Sequence, residues 1–317
     1  MFTGGLLGLL VAFGVWRANS AFKPQVQDKQ KEEVKSESEE NQEDGLVIAS
    51  PQNEEVVTSS PYSISGAANP GFIVISAEGK DYIAKTKSSG EFAIKAALAG
   101  GLNQLQVFSF ANDSKSEKKL ILVYSSEFAK YLDNKTEDPT EATTEADSIR
   151  QKVQEKLEKA QKVARAYIGS VTNISEDTIQ IKTDSGEIKQ AAVAKDAVFV
   201  KIQTSTKTVT FQDLAIGDFI IAMGLKNGNG VLDTKRVIIT QPPAITQRKA
   251  ITGIIKEINK KEVILEEAGQ TQTLVFPKTW VGPNLNEIKK GDSLIAVGEA
   301  SGSAITVRTI ALTASIE

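Results

Sequence analysis

At 317 residues the chain has room for two or three ordinary domains, and 40% hydrophobic with 24% charged residues is a globular composition. A net charge of −3 is too small to decide a partner but argues against the basic surface that strong phosphate binding needs. The absence of cysteine and histidine excludes disulfides, thiolate zinc sites, a lipidated cysteine and imidazole chemistry, leaving any catalysis to Asp, Glu, Lys, Arg, Ser, Thr and Tyr.

Residues 2–16 are apolar or small throughout apart from Thr3, and Arg17 ends the run. Fifteen helical residues would reach about 22 Å, short of a ~30 Å hydrocarbon core. Including Met1 and letting Arg17 snorkel narrows the gap, with Trp16 and Phe22 as interfacial anchors. The segment 1–22 is therefore expected to be a transmembrane anchor, with the lipid bilayer as partner through residues 1–17. The alternatives are a buried helix, a signal peptide cut near Ala18-Asn19-Ser20, and a pilin-like subunit. The last lacks the early glutamate such helices carry. Residues 23–45 are rich in Gln, Glu, Lys and Ser and read as a disordered acidic linker.

From 46 to 126, short apolar runs (Phe72–Ile75, Phe92–Ile94, Leu105–Phe108, Leu120–Tyr124) alternate with Gly, Pro, Asn and Asp turn signals. That spacing predicts a β-sandwich. The runs Ser50-Pro51, Ile64-Ser-Gly66 with Pro70-Gly71, Ser89-Gly90-x-Phe92 and Gly101-x-Asn103-x-Leu105 resemble the bacterial immunoglobulin-like domains of cell-surface proteins. The resemblance implies an Ig-like sandwich and is silent about the ligand.

Residues 127–167 read as an acidic linker followed by an amphipathic helix. Ile149, Val153, Leu157, Ala160, Ala164 and Tyr167 form one apolar stripe, and Gly169 stops it. This predicts a helical spacer packed on the next module. A coiled-coil dimer through helix 145–167 is the alternative.

The last third repeats itself. Phe211 to Gly224 lies over Leu285 to Gly298 without a gap, and the Gly217-Asp218 and Gly291-Asp292 steps coincide. Each copy also has an early glycine in a β run, Gly169 or Gly253, and closes on a Thr-x-Arg strand at Arg236 or Arg308. The loop Gly224–Gly230 is two residues longer than Gly298–Gly302. Modules this short bury their apolar faces by closing into small barrels. The expectation is barrel 1 over 168–240, a linker over 241–250 carrying Pro242-Pro243, and barrel 2 over 251–314. The repeats resemble small β-barrel domains of unknown function from secreted and membrane-anchored bacterial proteins, and distantly the oligonucleotide/oligosaccharide-binding (OB) barrels.

The sequence offers no catalytic constellation, no metal-ligand set and no cofactor motif. Gly228-Asn-Gly230 lacks the Lys-Ser or Lys-Thr of a phosphate loop. Asp218 and Asp292 suit turns. Asp81, Asp113, Asp184 and Asp233 fit solvated turns better than a calcium site. Trp280, next to Gly282-Pro283, is the one candidate for an exposed ligand contact. The expected protein is mainly β and non-catalytic: a cell-membrane, single-pass protein with most of its mass outside, acting as a surface spacer, adhesion or envelope-binding module. The envelope polymer or another surface protein would be its partner. The alternative is single-stranded nucleic-acid or glycan binding by the barrels.

Overall fold

Alternating burial sets the first strands, as in Glu91–Ala96, where Phe92, Ile94 and Ala96 point inward and Glu91 and Lys95 outward. The computed structural model describes residues 45–111, 114–132, 163–244, 247–267, 269–283 and 285–314. The first eight strands are β1 (Leu46–Ser50), β2 (Glu55–Val57), β3 (Tyr62–Ala68), β4 (Phe72–Ser76), β5 (Asp81–Lys85), β6 (Glu91–Ala96), β7 (Gly101–Ala111) and β8 (Ser114–Tyr124). They form a sandwich of one sheet ordered β1-β3-β6 and another ordered β2-β8-β7-β4-β5. Ile64, Ile73, Ile75, Phe92, Leu105, Val107 and Leu122 fill the space between. Asn103 pins the turn before β7: its Oδ1 accepts from Ala99 N at 2.8 Å, and its Nδ2 donates to the Ala99 and Gly101 carbonyls.

Barrel 1 comprises β9 (Ala164–Ser175), β10 (Thr178–Lys182), β11 (Ile188–Ile202), β12 (Thr206–Val209), β13 (Phe219–Lys226) and β14 (Leu232–Thr240). Barrel 2 comprises β15 (Arg248–Asn259), β16 (Glu262–Glu267), β17 (Gln270–Val275), β18 (Ser293–Ser301) and β19 (Ala304–Ala314). Barrel 2 closes in the order β15-β16-β17-β19-β18, and barrel 1 in the matching order β9-β10-β11-β14-β13, with β10 returning to β9. In each, the third strand runs parallel to the fifth and the fourth lies beside the first, a five-stranded Greek-key barrel.

The repeat holds down to single hydrogen bonds. Gly217 N donates to Val171 O and Gly291 N to Ile255 O, both at 2.8 Å. The following aspartates accept from Ala215 N (2.9 Å) and Lys289 N (2.7 Å), so Asp218 and Asp292 are turn caps. Both glycines have positive φ, 95° and 98°, which a residue with a β-carbon adopts at a cost. Gly224 and Gly298 mark bulges where the fourth strand bends onto the fifth. A β-carbon there would lie 2.1 Å from Asp233 O or 2.2 Å from Thr306 O, so only glycine lets the chains close.

The modules are not beads on a string; Asp44–Glu317 forms one compact unit. β2 pairs with β8 on one side and with β9 on the other, so the larger sheet of the sandwich runs on into barrel 1. Barrel 2 folds back on the outer face of the sandwich, where Ala250, Ile295 and Val297 cover Val74, Phe108 and Phe110. Arg248 donates to Ser76 O (2.7 Å) and Gln104 O (2.8 Å), and Arg308 to Ala77 O (2.8 Å) and Glu78 O (3.0 Å). Lys115 donates to Ala250 O at 2.7 Å while its Nζ stands 5.6 and 5.7 Å from the centres of the Phe108 and Phe110 rings. Burial at this seam pushes the Lys115 and Arg248 pKa values down.

Several expectations are corrected. No helix among the described residues is long and apolar enough to cross a membrane, so the described fold is mainly β with no transmembrane helix among those residues, and single-pass membrane localisation is not supported. The segment 1–22 and the linker that carried those readings lie outside the described residues, as do 133–162, where most of the spacer helix was placed. The spacer's end is a strand: Ala164 and Tyr167 belong to β9. There Ala164, Ala166 and Ile168 face one apolar cluster while Tyr167 and Val171 face the barrel core. With both faces covered, the segment has no polar alternation and imitates a helical stripe. Described helix is confined to short turns at Ser126–Phe128, α1 (Ala129–Leu132), Phe211–Asp213 and Leu285–Glu287, with no coiled coil among the described residues. An oligomer through helix 145–167 has no support from them.

Candidate functional site

The junction of the sandwich with barrel 1 is built by the loop Gln52–Glu54. Asn53 Oδ1 accepts from Ile121 N at 2.8 Å, and Glu54 N donates to Ile121 O at 2.7 Å, fixing the loop on β8. From the other side Ala166 N donates to Glu54 O at 2.8 Å, and Arg165 Nη1 donates to Asn53 O at 2.9 Å. Arg165 Nη2 donates to Gln52 Oε1. Glu54 holds this position at φ 61°, in the left-handed region.

Between this loop and barrel 1 lies a cleft of about 670 Å³, within the usual range of ligand sites. β9 supplies Arg165 and Tyr167, the start of β11 supplies Ile188, Lys189 and Gln190, the end of β13 supplies Lys226, and the β13–β14 loop supplies Asn229 and Gly230. That loop is shaped by Asn227, whose Oδ1 accepts from the amides of Asn229 (3.0 Å) and Val231 (3.1 Å). At the centre Lys189 Nζ meets Glu54 at 2.9 Å and Glu187 at 3.7 Å, and stands 5.1 Å from the centre of the Tyr167 ring. Tyr167 donates its hydroxyl to Gly230 O. Burial, reinforced by Glu54 and Glu187, pushes the Tyr167 phenol above its usual range, so it stays a neutral donor.

The charges are unevenly spent. Both carboxylates of the cleft crowd Lys189. Arg165 is held by two neutral oxygens, and Lys226 is exposed with no ion-pair partner among the described residues. Arg165 lies opposite Gly224 on the β9–β13 ladder, which makes Lys226 its diagonal neighbour, about 7–8 Å away.

Trp280 lies elsewhere. Its ring stands edge-on to Phe276 with centroids 5.0 Å apart, and its Nε1 donates to Pro283 O at 3.1 Å. The indole covers Gly282 and closes the end of the barrel 2 core, leaving its neighbour Val281 95% exposed. It lines a separate cleft of about 390 Å³ with Lys80, Asp81 and Arg308. The Asp81 carboxylate is spent on Ser76 (2.6 Å), Thr309 (3.1 Å) and Arg308 (3.5 Å), and so ties β5 to β19. The larger cleft was not foreseen from its side chains. Its one signal in the sequence was the extra length of the Gly224–Gly230 loop, which forms a wall of it.

No family model matches the chain, and no curated protein does. Among solved structures it is weakly similar to the apo β-glucuronidase 3 of Bacteroides uniformis: 10% identity, TM-score 0.22, covering 85% of this chain and 24% of that one. It thus spans about a quarter of that enzyme's length. A second likeness is to Drosophila Unr CSD456, an OB-fold cold-shock domain protein, at 9% identity and TM-score 0.18, covering 79% of this chain and 99% of that one. Likenesses at these scores carry no argument about what the chain does.

Proposed function

We propose that the chain is a non-catalytic binding protein that presents one rigid surface and holds a polar polymer in the cleft between the sandwich and barrel 1. The observation that carries this reading is the β13–β14 loop of barrel 1, longer than its counterpart in barrel 2, which brings Asn229 into a cleft that already holds Arg165 and, at the end of β13, Lys226. In OB barrels the loop between the fourth and fifth strands contributes to the ligand site. The bonding is in keeping with a non-catalytic role: among the described residues of the cleft, Glu54 and Glu187 both lie against Lys189, and the Tyr167 hydroxyl donates to a backbone carbonyl.

Single-stranded nucleic acid is the weaker ligand class. The outward row on the second and third strands of barrel 1 is Thr178, Gln180, Lys182, Ile188, Gln190 and Ala192, without an aromatic platform for bases. The matching row of barrel 2 carries Glu262, which repels phosphate, and Glu266, whose charge Lys256 answers. The test is retention of the full chain on immobilised pectate, cellulose, chitin and single-stranded DNA. Retention on a polysaccharide that Asn229→Trp abolishes is the expected result. Retention on none of them, or retention indifferent to Asn229→Trp, refutes the reading.

A further inference from the structure

We infer that the ligand of this cleft is an acidic glycan, a polysaccharide carrying carboxylates among its hydroxyls; this deepens the binding reading and rests on it. Three cations line the cleft against two carboxylates. The two carboxylates share Lys189, at 2.9 and 3.7 Å, so among the described residues the uncompensated positive charge sits on Arg165 and Lys226. These two are diagonal neighbours on one face of the β9–β13 ladder, so their charge is concentrated at one end of the cleft. A fully neutral ligand would leave that concentration unanswered, whereas a carboxylate accepts charge-assisted hydrogen bonds from both.

The remaining lining suits hydroxyls and a sugar ring. Asn229 and Gln190 offer amides that both donate and accept. Ile188, 50% exposed, offers an apolar patch beside them. Bases find no platform, since Tyr167 is 5% exposed and Lys189 lies over its ring. Glu187, whose side chain is 64% exposed and 3.7 Å from Lys189, leaves negative charge at the rim that tempers the attraction for any anion.

The experiment is calorimetric titration of the full chain with tetragalacturonate, cellotetraose and an oligothymidylate, at low and at physiological salt. Tetragalacturonate should bind best and weaken as salt rises. Lys226→Gln should weaken it roughly five- to tenfold, the loss of one exposed charge-assisted contact, without shifting the unfolding temperature. Glu187→Gln should tighten it about two- to threefold by removing a repulsive rim charge. The inference is overturned if cellotetraose or the oligothymidylate binds as well as tetragalacturonate, or if neither charge variant changes the affinity. Equal binding of cellotetraose that Asn229→Trp abolishes would keep the cleft as the site and reject only the acidic ligand. Binding of none of the three would reject both.

Discussion

Replacing Glu54 by alanine and, separately, by glycine divides two contributions at the junction of sandwich and barrel 1. Both variants lose the 2.9 Å contact with Lys189, a pair whose side chains are 23% and 18% exposed. A half-buried pair falls between the ~0.2–1 kcal/mol of surface pairs and the ~3–5 kcal/mol of broken buried ones. Lys189 keeps Glu187 and the Tyr167 ring, which places the loss near the lower end, about 1.5 kcal/mol. Alanine retains the β-carbon at φ 61° and so suffers the whole loss. Glycine relieves about 1 kcal/mol of left-handed strain and should end near 0.5 kcal/mol below the parent. For a body of this size 1 kcal/mol moves the unfolding temperature by about 2–4 °C. Calorimetric unfolding of the full chain should therefore place Glu54→Gly above Glu54→Ala by that interval, with the parent highest. A glycine variant that melts at or below the alanine variant would refute the assignment of strain to this residue.

Gly224→Ala and Gly298→Ala should each destabilise the protein by more than about 2 kcal/mol in urea unfolding, because the new methyl meets a backbone carbonyl at 2.1 or 2.2 Å. Gly228→Ala, with nothing within 4 Å, should stay within about 0.5 kcal/mol. Asp218→Ala should cost about 1 kcal/mol and Asp292→Ala about 2 kcal/mol, since Asp292 is 2% exposed and its capping bond is partly buried whereas that of Asp218 is exposed; chemical denaturation of the two variants checks the order. Among the five tyrosines, Tyr167 and Tyr62 should ionise above the usual ~10, both held up first by burial. Because the folded pKa is raised, their contribution to stability is complete below the unfolded pKa and is lost as pH climbs through the folded one. Ultraviolet phenolate titration should show a late step that shrinks in Tyr167→Phe; an unchanged step would remove Tyr167 from it.

The barrels were legible because closure is a local demand. Gly224 and Gly298 recur where a strand must bend, and Asp218 and Asp292 recur where a turn needs a cap, so internal repetition betrayed both. The way the modules join was not legible. Glu55 pairs with Arg165, and Arg248 grips Ser76 and Gln104, across gaps that no periodicity spans. Ala164 to Ile168 misled for a related reason: distant partners cover both faces, and the alternation that marks a strand vanished. Trp280 drew notice as an aromatic beside Gly-Pro, but its indole completes the barrel 2 core against Phe276. The cleft draws on several remote segments, so only the length of one loop hinted at it.

The clamp of barrel 2 on the sandwich has a consequence during synthesis. Lys115 and the carbonyl it grips are 135 positions apart in the chain. At ~5–20 residues per second, the ribosome delivers the second half of that contact on the order of ten seconds after the first. Throughout that interval Phe108 and Phe110 stand on a finished sheet without their cover. The nascent protein therefore passes through a stage with a sticky aromatic flank, and translation pauses before residue 250 should raise its demand for chaperones.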